Sequence, residues 1–180
     1  MPSGKYGPNI LRQAKKVELL ALDVDGVMTD GRVYFSALGD ELKAFSILDG
    51  QGIKSLLNNG IEVAIITGRD SPLTKKRASD LGIKNILQGR EDKKVALSEL
   101  CKSLDVELDA VAYVGDDLPD LSAITSSGLG IAVANAHEFV KEHAYFCTNK
   151  SGGEGAVREV CDLILEAKDL LSQHHKRYLD

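Results

Sequence analysis

The sequence predicts an α/β protein built on a doubly wound parallel sheet, and three observations carry that prediction. The run from Val17 to Leu22 is rich in Leu and apolar on both faces, as suits a central strand covered by helices on either side. Two later runs, Ile61 to Thr67 and Ala110 to Val114, are similarly apolar or β-branched, and helical patterns fill the intervals between them. Each run stops abruptly at polar residues suited to chemistry. Open sheets of this Rossmann-like kind bind ligands at the carboxyl ends of their strands, where the strand order reverses.

Taken in order, residues 2–8 hold two prolines and two glycines and read as a loose arm before a short helix around Asn9 to Lys16. After the first strand, Arg32 to Phe35 and Glu41 to Ile47 are β-prone runs separated by Ser36-Ala37-Leu38-Gly39-Asp40, which predicts a hairpin flap with a glycine-containing turn. Val33, Phe35, Leu38, Leu42 and Phe45 give it more apolar surface than a lone hairpin can hold in water, so it is expected to pack on another subunit. Asp49-Gly50-Gln51-Gly52 predicts a turn opening a helix from Ile53 to Asn58, closed at Asn59-Gly60.

The strand ending at Thr67-Gly68-Arg69 is followed by Ser71-Pro72, an N-cap and a first-turn proline for a helix that reaches Leu81 before Gly82. Ile83 to Leu87 predicts a short strand, and Lys93 stands near the start of an amphipathic helix carrying Val95, Leu97, Leu100 and Leu104. A cation at a helix start is unfavourable unless an anion lies nearby. Ala110 to Val114 runs into Gly115-Asp116-Asp117-Leu118-Pro119-Asp120, and Leu129 to Val133 and Ala144 to Thr148 complete the sheet toward one edge. Asn149 to Arg158 is a glycine-rich loop entering a helix expected to run to about Leu171, and residues 172–180 read as a frayed polar tail.

At 180 residues, 43% hydrophobic and 27% charged, the chain has enough material for one α/β domain with a full core. A net charge of −5 argues against non-specific binding to nucleic acid or an anionic membrane, so any phosphate chemistry relies on local cations. No segment has signal-peptide character or the length of a membrane span, which predicts a cytoplasmic protein. Cys101, Cys147 and Cys161 lie far apart in apolar patterns and read as small buried residues. His137, His143, His174 and His175 show no metal-ligand spacing and read as surface residues.

Alternation along the first strand turns Asp23 and Asp25 to one side, so two anions share one pocket. A hard divalent ion, most simply Mg²⁺, relieves that repulsion by accepting carboxylate and carbonyl oxygens. Asp23-Val24-Asp25-Gly26-Val27-Met28-Thr29 resembles the first signature of the haloacid dehalogenase superfamily, phosphatases and phosphotransferases with an aspartate nucleophile. Thr67, Lys93 and the Gly115-Asp116-Asp117 segment with Asp120 resemble its remaining signatures, in chain order and each on the element that the pattern predicts. About forty residues between Asp25 and Thr67, and a similar gap to Asp116, are used up by elements of ordinary length. No cap domain fits. The expected organisation is an arm over 1–16, one haloacid-dehalogenase-like phosphatase domain over 17–171 and a tail over 172–180.

The resemblance implies a role for each matching residue. Asp23 is the nucleophile and Asp25 the general acid and base, Thr67 holds a phosphoryl oxygen, and Lys93 neutralises charge. By the same resemblance Mg²⁺ is held by Asp23, the Asp25 carbonyl and Asp116, with Asp117 and Asp120 orienting metal waters, tying down Lys93 or capping the Pro119 helix. Asp25 to Gly31, Asp49 to Ile53, Gly68-Arg69 and Gly152 to Glu159 resemble the capless branch of 3-deoxy-D-manno-octulosonate 8-phosphate phosphatases. That branch implies a small sugar-phosphate substrate, a homotetramer joined through the hairpins and a place in lipopolysaccharide synthesis. Gly68 lies beside the substrate, and Arg69, Arg77 and Arg90 are candidates for its carboxylate. The alternatives are a phosphatase for a nine-carbon sugar acid 9-phosphate, or a non-catalytic phospho-accepting or assembly domain.

Overall fold

The computed structural model describes residues 5–179 of the chain. Helix α1 (Pro8–Lys16) precedes strand β1 (Leu19–Leu22), and a two-stranded hairpin of β2 (Tyr34–Phe35) and β3 (Glu41–Leu42) leads into α2 (Ile47–Asn58). Four further strands alternate with helices: β4 (Glu62–Ile66), α3 (Pro72–Leu81), β5 (Asn85–Leu87), α4 (Lys93–Leu104), β6 (Val111–Gly115), α5 (Leu121–Ser126) and β7 (Leu129–Ala132). Helix α6 (Glu138–His143), β8 (Phe146–Cys147), α7 (Ala156–Ala167) and α8 (Leu171–Lys176) complete the chain.

All six sheet strands are parallel, in the order β5-β4-β1-β6-β7-β8. β1 is fully buried, as its apolar run requires, and Leu22 is level with Ile65 of β4 on one side and Val114 of β6 on the other. Asp23, Thr67 and Asp116 therefore leave the sheet at one edge. No helix among the described residues is long and apolar enough to cross a membrane.

The predicted turn at Asp49-Gly50-Gln51-Gly52 is instead the first part of α2. Ser46 caps the helix by accepting from the Asp49 amide at 3.4 Å, and buried Asp49 accepts from the Arg158 amide at 2.9 Å where α7 begins. The glycines are there for close approach, not for turning. A Cβ on Gly52 would stand 2.9 Å from Arg158 Cδ and 3.0 Å from Cys161 Cβ, so its absence lets α2 and α7 pack together.

Other expectations are also corrected. The final helix breaks after Ala167, where Asp169 takes φ 61° and reverses the chain. α8 then lies back on α2, with Ser55 Oγ 2.9 Å from His174 Nε2 and Gln51 Nε2 donating to Tyr178 Oη at 2.7 Å. His174 is buried, because helical packing of the tail sets it against Ser55, with the Tyr178 ring edge-on beside it. Within the predicted arm, residues 1–4 lie outside the described residues, but Tyr6 is buried edge-on against Phe146. Cys147 is exposed on edge strand β8, whereas Cys101 and Cys161 are buried.

The α2–α7 contact makes a direct prediction. Gly52→Ala gains helix propensity but crowds backbone that cannot yield, and a net loss of roughly 1–2 kcal/mol is expected in urea unfolding. A gain in stability would show that the two helices are not in close contact.

Candidate active site

The site is assembled from strand ends. Asp23 follows β1 and is buried, with its amide donating to Val114 O at 3.1 Å. Asp25 lies two residues on, partly exposed, before a tight loop in which buried Thr29 accepts from the Gly26 and Gly31 amides, each at 3.2 Å. Gly26 has φ +93°, and a Cβ there would lie 2.0 Å from Asp116 Oδ2, so only glycine lets the two loops meet. Thr67, just past β4, is buried, and its amide donates to Leu87 O at 2.9 Å. Asp23, Asp25, Thr67, Gly68, Arg69, Glu91, Lys93 and Pro119 line a cleft of about 530 Å³.

Lys93 is the first residue of α4, and its buried ammonium lies 3.0 Å from Asp23 Oδ1 and 2.5 Å from Asp120 Oδ1. This resolves the unfavourable cation at a helix start. Burial alone would lower the lysine's pKa, but Asp23 and Asp120 more than offset it and hold the pKa raised, so Lys93 stays cationic. Asp120 is saturated: Oδ1 also accepts from Tyr113 Oη at 3.0 Å, and Oδ2 from the Asp116 and Asp117 amides at 3.0 and 3.3 Å. Asp117 is exposed and caps the turn at Leu118, accepting from its amide at 2.8 Å. Of the roles considered for these two residues, Asp120 fastens Lys93 and Asp117 caps the Pro119 turn.

Carboxylate oxygens of Asp23, Asp116 and Asp120 lie within 4.8 Å of one another, with a single ammonium between them. Burial, the Asp120 charge and, at Asp116, the neighbouring Asp23 push the Asp23 carboxyl up to about 6 and the Asp116 carboxyl to about 8. Such a set lacks positive charge. Asp120 is already committed to four donors, so Asp23 and Asp116 are the carboxylates free to take a hard divalent ion.

Of the predicted arginines, Arg69 is on the cleft rim, 3.1 Å from Glu41 Oε1. Arg77 and Arg90 lie outside the lining. Arg77 is half-buried under α2, donating to Ser46 O at 3.0 Å, and Arg90 is engaged by Asp92 and Glu99, each at 2.8 Å. The glycine-rich loop also stands back from the cleft. Gly153 donates its amide to Val27 O at 3.0 Å and Gly152 to Asn135 Oδ1 at 2.9 Å, so the loop braces the Asp25 turn from behind.

Sequence reasoning missed Lys43. It follows β3, and its side chain, only 3% exposed, pairs with Asp25 Oδ1 and lies 3.1 Å from Glu41 Oε1. The signal was the alternation Glu41-x-Lys43, which turns both charges to one face of the hairpin. Tyr113 was missed as well, concealed in a strand otherwise read as wholly apolar.

The haloacid dehalogenase-like hydrolase family matches residues 77–160. A 3-deoxy-D-manno-octulosonate 8-phosphate phosphatase from Yersinia pestis is 48% identical over 169 residues, covering 92% of this chain and 90% of the relative. This chain belongs to the haloacid dehalogenase-like hydrolases. A solved structure of a probable phosphatase from Pseudomonas syringae superposes with TM-score 0.95 at 50% identity, covering 97% of this chain and 99% of that one. The Moraxella catarrhalis 3-deoxy-D-manno-octulosonate 8-phosphate phosphatase, solved with magnesium ion, phosphate ion and KDO, gives TM-score 0.94 at 44% identity, over 96% of this chain and 99% of that one. Within the family this chain is a capless phosphatase, a phosphoric monoester hydrolase.

Because Asp23 and Asp116 have raised pKa values, the stability they contribute when protonated is complete below the usual carboxylate range and is lost as pH rises through about 6 and about 8. A divalent ion binds the ionised pair. Added Mg²⁺ is therefore expected to raise the melting temperature more near pH ~8 than near pH ~5, and chelator to remove the difference. Equal shifts at both pH values would count against Asp23 and Asp116 as the binding pair.

Proposed function

We propose that the chain hydrolyses 3-deoxy-D-manno-octulosonate 8-phosphate to the free sugar acid and phosphate. One observation carries the reading: a buried carboxylate, Asp23, shares the Lys93 ammonium with Asp120 at the base of an open cleft whose rim presents the Arg69 guanidinium. A phosphate ester with a carboxylate at its far end matches that polarity. The naming of the Yersinia and Moraxella relatives for this substrate supports it.

Asp23 attacks phosphorus, and as its new bond forms the ester bond to the sugar breaks, leaving an aspartyl phosphate. Asp25 gives its proton to the departing sugar oxygen. In the second half Asp25 takes a proton from water as the water oxygen bonds to phosphorus, and Asp23 leaves with its original charge. Lys93 offsets the anionic charge on the nucleophile and the phosphoryl group, and Thr67 with the Gly68 amide positions phosphoryl oxygens. Asp23, the Asp25 carbonyl and Asp116 would hold the Mg²⁺ cofactor. When bound, that ion supplies the positive charge that this carboxylate set lacks.

Arg69 is the first choice for the sugar carboxylate because a guanidinium binds it bidentately, with Arg77 and Arg90 as more distant candidates. We place the enzyme in lipopolysaccharide sugar synthesis in the cytoplasm, where free cysteines such as Cys101 and Cys161 stay reduced.

The deciding experiment is phosphate release from a panel of sugar phosphates with Mg²⁺ and with chelator. Strong Mg²⁺-dependent preference for the eight-carbon acid is expected, with Asp23→Asn losing at least ~1000-fold in kcat. Equal turnover of the nine-carbon acid 9-phosphate would move the substrate to that compound.

The hairpin supports a homotetramer. Phe35, Leu38 and Leu42 are 66%, 91% and 59% exposed, and Ile47 just beyond is 82% exposed, too much apolar surface to leave in water. Sedimentation is expected to give four times 19.4 kDa, and Phe35→Glu with Leu38→Asp to give the monomer. A monomeric parent protein would remove this reading.

A further inference from the structure

Lys43 is a buried cation placed by the hairpin against a residue to which the mechanism assigns proton transfer. Its side chain is 3% exposed and Asp25's is 22% exposed, so the contact closes one side of the carboxyl while the rest faces the cleft. A buried ammonium needs partners, and this one has Asp25 Oδ1 and Glu41 Oε1, the latter also 3.1 Å from Arg69. The result is a row of alternating charge, Asp25, Lys43, Glu41 and Arg69, reaching from the loop after β1 across the hairpin to the loop after β4.

We infer that Lys43 is a positioning residue for the general acid and base: by holding Oδ1 of Asp25 it aims the other carboxyl oxygen, Oδ2, at the leaving oxygen and later at water. The inference rests on the proposed role of Asp25 in proton transfer. Two features favour it over a role in hairpin folding alone. The hairpin reaches into the site through a long side chain aimed at one oxygen of one carboxylate, although its backbone has its own turn and pairing. Glu41 also pairs with the ammonium from the hairpin side, which fixes the Lys43 side chain where it meets Asp25.

The aim of a proton donor matters in proportion to the leaving group's need for a proton. Nitrophenolate departs from phosphorus without one, whereas a sugar alkoxide does not. The test is a single-turnover comparison, with enzyme in excess and Mg²⁺ present, of nitrophenolate release from p-nitrophenyl phosphate and sugar-acid release from 3-deoxy-D-manno-octulosonate 8-phosphate.

For Lys43→Met, sugar release is expected to fall about 100-fold and nitrophenolate release by less than about 3-fold. Lys43→Arg is expected to restore at least about a tenth of the sugar rate, since a guanidinium can still hold Oδ1. Mg²⁺ affinity by calorimetry should stay within about twofold of the parent, because Lys43 holds a carboxylate oxygen outside the proposed ligand set. Equal losses on the two esters, a loss of Mg²⁺ binding or unchanged sugar turnover would each overturn the assignment. If Lys43→Met does not fold, Lys43→Gln gives the same comparison with a neutral donor.

Failure of the parent enzyme on the sugar acid, with turnover of another alkyl phosphate, would overturn only the substrate reading. The Lys43 comparison then runs on that alkyl ester.

Discussion

The structure depends on one arrangement of charge: a buried lysine at the head of a helix, between a carboxylate at the end of β1 and one on the turn that follows β6. Lys93 is held within 3.0 Å of Asp23 and 2.5 Å of Asp120, and three buried or half-buried acids remain with one cation among them. In water such a cluster would disperse. Here it is held together because β1, β4 and β6 are paired along their length and each delivers the residue that follows it to the same edge. Their hydrogen bonds and burial offset the repulsion, and the surplus negative charge suits the site to a hard divalent ion.

Much of this was legible in the chain. The apolar run before Asp23 needed two covered faces, which fixed the central strand, and the β-branched run to Thr67 and the apolar run to Gly115 followed by the same physics. Asp23 stood out where an apolar strand pattern ends in carboxylates, whereas Thr67, Lys93 and Asp116 were picked out by their resemblance to the family's remaining signatures, in chain order. The failures have a common cause, since each depended on a partner distant in sequence. Asp49-Gly50-Gln51-Gly52 has turn composition, yet it is helical because α7 approaches at Gly52 and supplies the Arg158 amide to Asp49. His174 looked like a solvated tail residue until α8 folded back onto Ser55. Lys43 carried only the weak local signal of its alternation with Glu41, because its partner, Asp25, lies on another element.

The glycine-rich loop shows how a suggestive composition can have a supporting use. Its amides are spent on Val27 O and the Asn135 side chain, so its contribution is stiffness. Gly26 complements it from the front, since the lack of a side chain there brings Asp116 up to the turn that follows Asp25. The Asp25 loop is thus clamped between a backbone contact from Gly153 and the Asp116 carboxylate, while the lysine of the hairpin approaches from a third direction.

That third direction ties chemistry to assembly. The hairpin carries the exposed apolar residues Phe35, Leu38 and Leu42 and, through Lys43 and Glu41, is anchored to the loops of Asp25 and Arg69. Any free energy by which a ligand at those loops alters the hairpin's preferred position must reappear, equal in size, as an effect of hairpin contacts on ligand affinity. If copies of this chain grip the flap, as proposed above, it becomes a thermodynamic conduit through which they tune one another's sites.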